Sequence, residues 1–117
     1  MTVQELARWL NARNAAPGTD ETAQVHCGYA GDLLSWVLGH GRAGMAWVTV
    51  LTHENVAAVA VLTKAACVIL PDGLLPDREL LERARQENLP ILTAGQNAYQ
   101  VCLRMGQAGI GFDVQKG

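Results

Sequence analysis

Four times along the chain an apolar run ends in a small polar or glycine-containing turn, and a helical pattern follows. The runs are Ala23–Tyr29, Ala46–Leu51, Ala66–Leu70 and Pro90–Leu92. The turns are Gly28-Tyr29-Ala30-Gly31-Asp32, Thr52-His53-Glu54-Asn55, Pro71-Asp72-Gly73 and Thr93-Ala94-Gly95. Strands alternating with helices predict an α/β fold, a small, mostly parallel β-sheet flanked by helices. Met45–Leu51 is continuous rather than alternating, the pattern of a strand covered on both faces. Cys67–Leu70 and Ile91-Leu92 read as shorter strands of the same sheet.

Helices fill the intervals. Val3–Ala12 is amphipathic, with Leu6, Trp9 and Leu10 on one face and a capping box from Thr2 to Glu5. Asp32 is placed to cap a helix over Leu33–Leu38, which Gly39-His40-Gly41 ends. Thr52 is placed to cap the next helix, with Asn55 in its first turn. Asp77–Glu87 is amphipathic, with Leu80, Leu81 and Ala84 inward, and stops at Asn88 before Pro90. Gln96–Met105 is the last helix. Ala15–Asp20 is a loop by composition. One domain over 1–108 is expected, with Gly109–Gly117 a loose tail.

The helix after Thr52 is apolar at every position from Val56 to Leu62, so it has no polar face and must be covered on all sides. In so short a chain a second copy is an economical cover, and Ala57, Ala58 and Ala60 allow close approach. A homodimer with Val56, Val59, Ala60 and Trp36 at its interface is therefore expected. The alternative is a central helix covered by the chain's own loops or terminus.

Composition narrows the classes. The 117 residues are half apolar, with one Phe and two Tyr, so the core must be Leu, Val and Ala. A formal charge of −2 and the lack of a basic block argue against a nucleic-acid surface. No apolar stretch approaches the ~18–20 residues of a membrane span, and the first residues lack a signal-peptide pattern. Cys27, Cys67 and Cys102 are far apart with no CxxC, as free thiols in a reducing cytoplasm would be.

Catalytic templates are absent. There is no P-loop, no dinucleotide fingerprint, no HExxH, no GxSxG and no zinc spacing. His53 and Cys27 have no evident base or orienting partner in the sequence, which disfavours an enzyme. No cofactor or metal is expected. What remains is positional. Parallel strands bring Tyr29, Asp32, Thr52, His53, Asn55, Asp72, Gly73, Thr93 and Gly95 to one carboxyl edge, where helix N-termini favour an anionic or polar small ligand. Tyr29 either stacks on a ring or packs. Asp32 and Thr52 are explained by capping alone, and Asp72-Gly73 by turn geometry. Trp36 lies off the inward face, half-exposed or at an oligomer contact. Core packing is the default for Trp9 and Trp47.

The segment Gly28–Val37, with Tyr29-Ala30-Gly31-Asp32-Leu33-Leu34-Ser35 its most specific part, then Trp47-Val48-Thr49, His53–Ala60 and Leu89–Thr93, resembles a stand-alone DRTGG domain. The resemblance runs from the first helix to about Met105. It implies an α/β domain similar to the amino-terminal domain of HPr kinase/phosphorylase, itself similar to the uridine-nucleotide-binding domain of a peptidoglycan ligase. In larger proteins such domains are accessory, beside catalytic or CBS domains, and mediate assembly. The eponymous pentapeptide is absent here, and the kinase's P-loop domain has no counterpart. The expectation is a non-enzymatic regulatory or ligand-sensing module, taking a nucleotide-like or anionic metabolite at the strand edge. The alternative is a protein–protein or dimerisation scaffold without a ligand.

Overall fold

The computed structural model describes residues 1–113. In chain order the elements are α1 (Val3–Trp9), β1 (Arg13–Asn14), β2 (Cys27–Ala30), α2 (Leu34–His40), β3 (Met45–Val48), α3 (Asn55–Thr63), β4 (Cys67–Leu70), α4 (Arg78–Gln86), β5 (Ile91–Thr93) and α5 (Ala98–Gln107). The strands form one sheet in the order β1-β5-β4-β3-β2. β2 to β5 are parallel, and β1 closes the far side antiparallel, Arg13 opposite Thr93 and Asn14 opposite Leu92.

The sheet divides two cores by strand alternation. Ala46, Val48, Cys67, Ile69 and Leu92 point to the side of α1 and α5, where they meet Val3, Leu6, Leu10, Val101 and Met105. Met45, Trp47, Val68, Leu70 and Ile91 point to the opposite side, under α2, α3 and α4, where they meet Val37, Val56, Ala60, Leu80 and Ala84. Every residue of β3 and β4 is buried, as a doubly covered parallel strand requires.

Local chemistry explains several boundaries. The Thr2–Glu5 capping box is formed, Glu5 N–H donating to Thr2 Oγ1 at 3.1 Å and Thr2 N–H to the Glu5 carboxylate at 2.8 Å. A second box, Asn97 with Gln100, starts α5. α3 ends at Lys64 with φ 60°, and Asn88 takes φ 56° just after α4, both in the left-handed conformation that closes helices.

Several expectations are corrected. Asp32 does not cap α2: the helix starts at Leu34, with Leu33 as N-cap and no side-chain cap bond. Thr52 does not cap α3 either, because the helix begins only at Asn55, and the carbonyls of His53 and Glu54 satisfy its first amides. Gly41 ends α2 with an extended backbone (φ −65°) rather than a left-handed one. Arg13–Asn14 forms an edge strand that the sequence hides, since two residues carry no period. The run from Ala23 is strand only from Cys27, and Val25 instead donates its N–H to the Met1 carbonyl at 2.9 Å.

Trp9 is not a core residue. It is 37% exposed, its Nε1–H donates to the Arg104 carbonyl at 2.7 Å, and the Arg104 guanidinium lies over its ring at 4.4 Å. Trp47 is in the core, its Nε1–H donating to the Gly31 carbonyl at 2.9 Å.

The tail is not loose where it begins. Gly28 N–H donates to the Gly111 carbonyl at 2.7 Å, Ile110 is buried, and Arg42 lies over the Phe112 ring at 4.6 Å. This segment covers the free edge of β2. Residues 114–117 of the expected tail lie outside the described residues.

α3 is not covered on all sides by its own chain. Val56, Val59 and Ala60 are buried against the sheet and neighbouring helices, while Val61 and Leu62 are exposed, Leu62 by 69%. Val56, Val59 and Ala60 are therefore interior residues and not available as an interface. The exposed large apolar residues of this layer are Leu33 (66%), Trp36 (58%), Leu38, Val61 and Leu62, on α2, its N-cap and α3.

Candidate functional site

The parallel strands end together, and the loops that leave them are tied to one another in series. After β2, the Gly31 amide donates to the Val48 carbonyl at 3.1 Å. The Asp32 carboxylate accepts from the Thr49 hydroxyl at 2.8 Å and from the Val50 amide at 2.9 Å, which pins the β3–α3 loop. That loop is joined to the start of α4 by the Asp77 amide, which donates to the Thr52 carbonyl at 2.9 Å. The β4–α4 loop is joined to the β5–α5 loop by Asp72 N–H to the Gln96 carbonyl and Gly73 N–H to the Ala94 carbonyl, both 2.8 Å. The last link is to β1, where the Thr93 hydroxyl donates to the Arg13 carbonyl at 3.4 Å.

Asp72 and Gly73 both take positive φ, 60° and 67°, and Leu74 N–H closes the turn on the Pro71 carbonyl at 3.1 Å. A turn with two left-handed central residues favours an Asp-Gly pair. It also aims both central amides at the neighbouring loop.

The sequence-selected residues thus divide by role. Asp32 and Thr93 use their side chains as ties between loops. Asp72 and Gly73 do so with backbone amides. The side chains of Thr52, His53, Asn55 and Asp72 make no hydrogen bond or ion pair among the described residues, and His53, Asn55 and Asp72 are exposed. Tyr29 stands apart. It is half-buried at the sheet edge opposite Trp47, its ring centroid 6.3 Å from that of Phe112. It lines a cavity of about 180 Å³ with Cys102, Met105, Ile110 and Phe112. Trp36 stacks on His40 at 3.9 Å, and His40 Nδ1 lies 3.0 Å from the Trp36 carbonyl.

The sequence reading missed Thr49, a buried hydroxyl that donates to the Asp32 carboxylate and itself accepts from the Leu51 amide at 3.3 Å. A lone Thr at a strand end gives no signal without its partner. It also missed a groove of about 560 Å³ lined by Arg13, Asn14, Pro17, Leu75, Leu81 and Arg85. A third cavity, about 260 Å³, lies at the amino ends of the strands around Lys64, Ala65 and Leu89.

The cysteines are not activated. Burial pushes the Cys67 thiol up to about 12. Burial also raises Cys27, an effect opposed by the Arg42 guanidinium, and it raises Cys102. A raised thiol is a poor nucleophile at neutral pH. Among the described residues no cluster of His, Cys, Asp and Glu is arranged to hold a metal.

A family model described as the DRTGG domain matches residues 5–108. The chain belongs to the DRTGG domain family. Among solved structures, the DRTGG fold is shared with the regulatory region of Clostridium perfringens pyrophosphatase. That region comprises CBS and DRTGG domains and was crystallised with its activator, diadenosine tetraphosphate. The two are 13% identical with a TM-score of 0.64 over 92% of this chain, which spans 46% of that one. Comparison with curated proteins finds no match. No catalytic family is indicated by these matches, and among the described residues no helix is long and apolar enough to cross a membrane.

Proposed function

We propose that this DRTGG domain is a non-enzymatic regulatory module that senses a nucleotide-like or other anionic metabolite at the carboxyl edge of its sheet. The observation that carries the reading is the edge itself, where unspent polar side chains sit on loops held by ties between them. The side chains of Thr52, His53, Asn55 and Asp72 have no internal partners among the described residues, while Asp32, Thr49 and Thr93 fix the loops that bear them. Preorganised donors cost less to order on binding than mobile ones. The structural neighbour supports the choice of ligand class, because that regulatory region binds a dinucleotide. Tyr29, on the β2 side, would cover an apolar part of a ligand reaching that far. The three free thiols suit a reducing, cytoplasmic setting.

A thermal-shift screen against nucleotides, uridine sugars and sugar phosphates tests this. A ligand at ~100 times its dissociation constant adds ~2.7 kcal/mol, a shift of several degrees. His53→Ala and Asn55→Ala remove exposed side chains, so the fold should survive while the shift disappears. A flat screen would contradict the reading.

A homodimeric scaffold is the second reading, and one observation favours it. Leu33, Trp36, Val61 and Leu62 leave an apolar surface on the α2–α3 layer. On this reading, light scattering gives a dimer that Trp36→Asp with Leu62→Glu converts to monomer. A monomeric wild type would remove it.

A further inference from the structure

The groove of about 560 Å³ runs between edge strand β1 and helix α4 and is within the range of small-ligand pockets. Its apolar wall is Pro17, Leu75, Pro76 and Leu81, and Leu75 is 63% exposed with no cover from its own chain. Two cations, Arg13 and Arg85, line the same groove, and no carboxylate does.

The charges on α4 explain why Arg85 is left over. Arg78 pairs with Glu82 at 3.2 Å and Arg83 with Glu87 at 3.6 Å, each one helical turn apart. Arg85 has Leu81 and Leu89 at those distances in sequence, and the Glu82 three residues before it is taken by Arg78. No hydrogen bond or ion pair engages its guanidinium among the described residues. Arg13 is held through its backbone, paired with Thr93 in the sheet, and no hydrogen bond or ion pair engages its guanidinium among the described residues. Asn14 is spent on structure: its side-chain carbonyl accepts from the Ala16 and Ile91 amides, and its NH₂ donates to Thr19 and Glu21. It therefore holds the wall rigid and leaves binding to the two arginines.

Two unpaired guanidiniums beside an apolar wall suit an anion joined to an apolar body, since guanidinium forks grip phosphate oxygens in pairs. The pairing of Arg13 with Thr93 opens one end of the groove at the carboxyl edge. We infer that the groove binds a small organic anion of the nucleoside-phosphate class, with phosphate at Arg13 and Arg85 and the ring against Leu75 and Leu81. The inference rests on the ligand-sensing reading above and gives that site a second wall.

Calorimetric titration of the full chain with ADP, adenosine and inorganic pyrophosphate tests it. ADP should bind more tightly than either fragment. Arg13→Gln and Arg85→Gln should each weaken ADP by about tenfold or more, and Arg78→Gln, outside the groove, should not. Both groove arginines are exposed, so circular dichroism should show the variants folded. ADP affinity unchanged in both variants overturns the groove. If His53→Ala then abolishes ADP binding, the ligand-sensing reading stands without it. Failure of all three probes, with hits in the wider thermal-shift screen, also overturns the groove and spares that reading.

Discussion

At the residue scale the molecule is governed by a few polar side chains whose partners lie far off in sequence. Asp32 is the clearest. It has the type and position of a helix cap, yet its carboxylate reaches across to Thr49 and Val50. A cap acts within three residues, whereas this bond ties two strand ends. Asp32→Ala should therefore leave α2 helical and free the β3–α3 loop. The group is exposed, so the cost is about 1 kcal/mol, a fall of ~3–5 °C in Tm. Hydrogen exchange should rise at the Val50 and Leu51 amides. Unchanged exchange there would count against the tie. The cysteines supply a second test. Cys102 is the exposed thiol and Cys67 the fully buried one. A thiol reagent at neutral pH should label Cys102 first, slowly, and Cys67 only on unfolding.

At the element scale, helix α3 shows what a sequence pattern can and cannot say. Seven consecutive apolar residues, Val56–Leu62, rightly mark a helix without a polar face. They do not say which flank meets the sheet. The structure buries Val56, Ala57, Val59 and Ala60 and leaves Val61 and Leu62 outside. Val59→Glu should accordingly unfold the domain, because it places a charge among Val and Leu side chains at a cost of several kcal/mol. Leu62→Glu should leave Tm within about 2 °C of wild type, since surface changes are commonly within ~0.5 kcal/mol. Chemical denaturation of the pair checks this, and equal losses would contradict the burial pattern.

The α1 capping box was legible because Thr2 and Glu5 are three residues apart and both bonds are local. Backbone hydrogen bonding from Thr2 lowers the Glu5 carboxyl below its ordinary value of 4.5. Its contribution is thus complete above that value and lost as pH falls through the lower, folded one. Thr2→Ala removes only the hydroxyl that accepts from the Glu5 amide and should cost about 1 kcal/mol, whereas Glu5→Ala should lower Tm at neutral pH and converge on wild type in acid titration over that window.

At the scale of the whole molecule, the strand–helix rhythm was enough to predict the parallel sheet and the edge where its strands end. Continuous apolar runs report burial on both faces, and that property is common to all doubly covered strands. Three things were not legible: the two-residue strand β1, the docking of Ile110–Phe112 along β2, and the Arg13–Arg85 groove. Each depends on pairing between distant segments. Arg85 did leave a trace, an arginine with Leu at both four-residue neighbours on an otherwise salt-bridged helix.

The central claim is that the carboxyl edge is a ligand site. The most direct test is an amide-resolved NMR titration with ADP. The account predicts saturable shifts confined to residues 31–32, 49–55, 71–77 and 93–96, with Arg13, Leu81 and Arg85 along the groove at the flank. Shifts confined to α1 and α5, or none with ADP and none with any other nucleotide, uridine sugar or sugar phosphate of the thermal-shift screen, would contradict it.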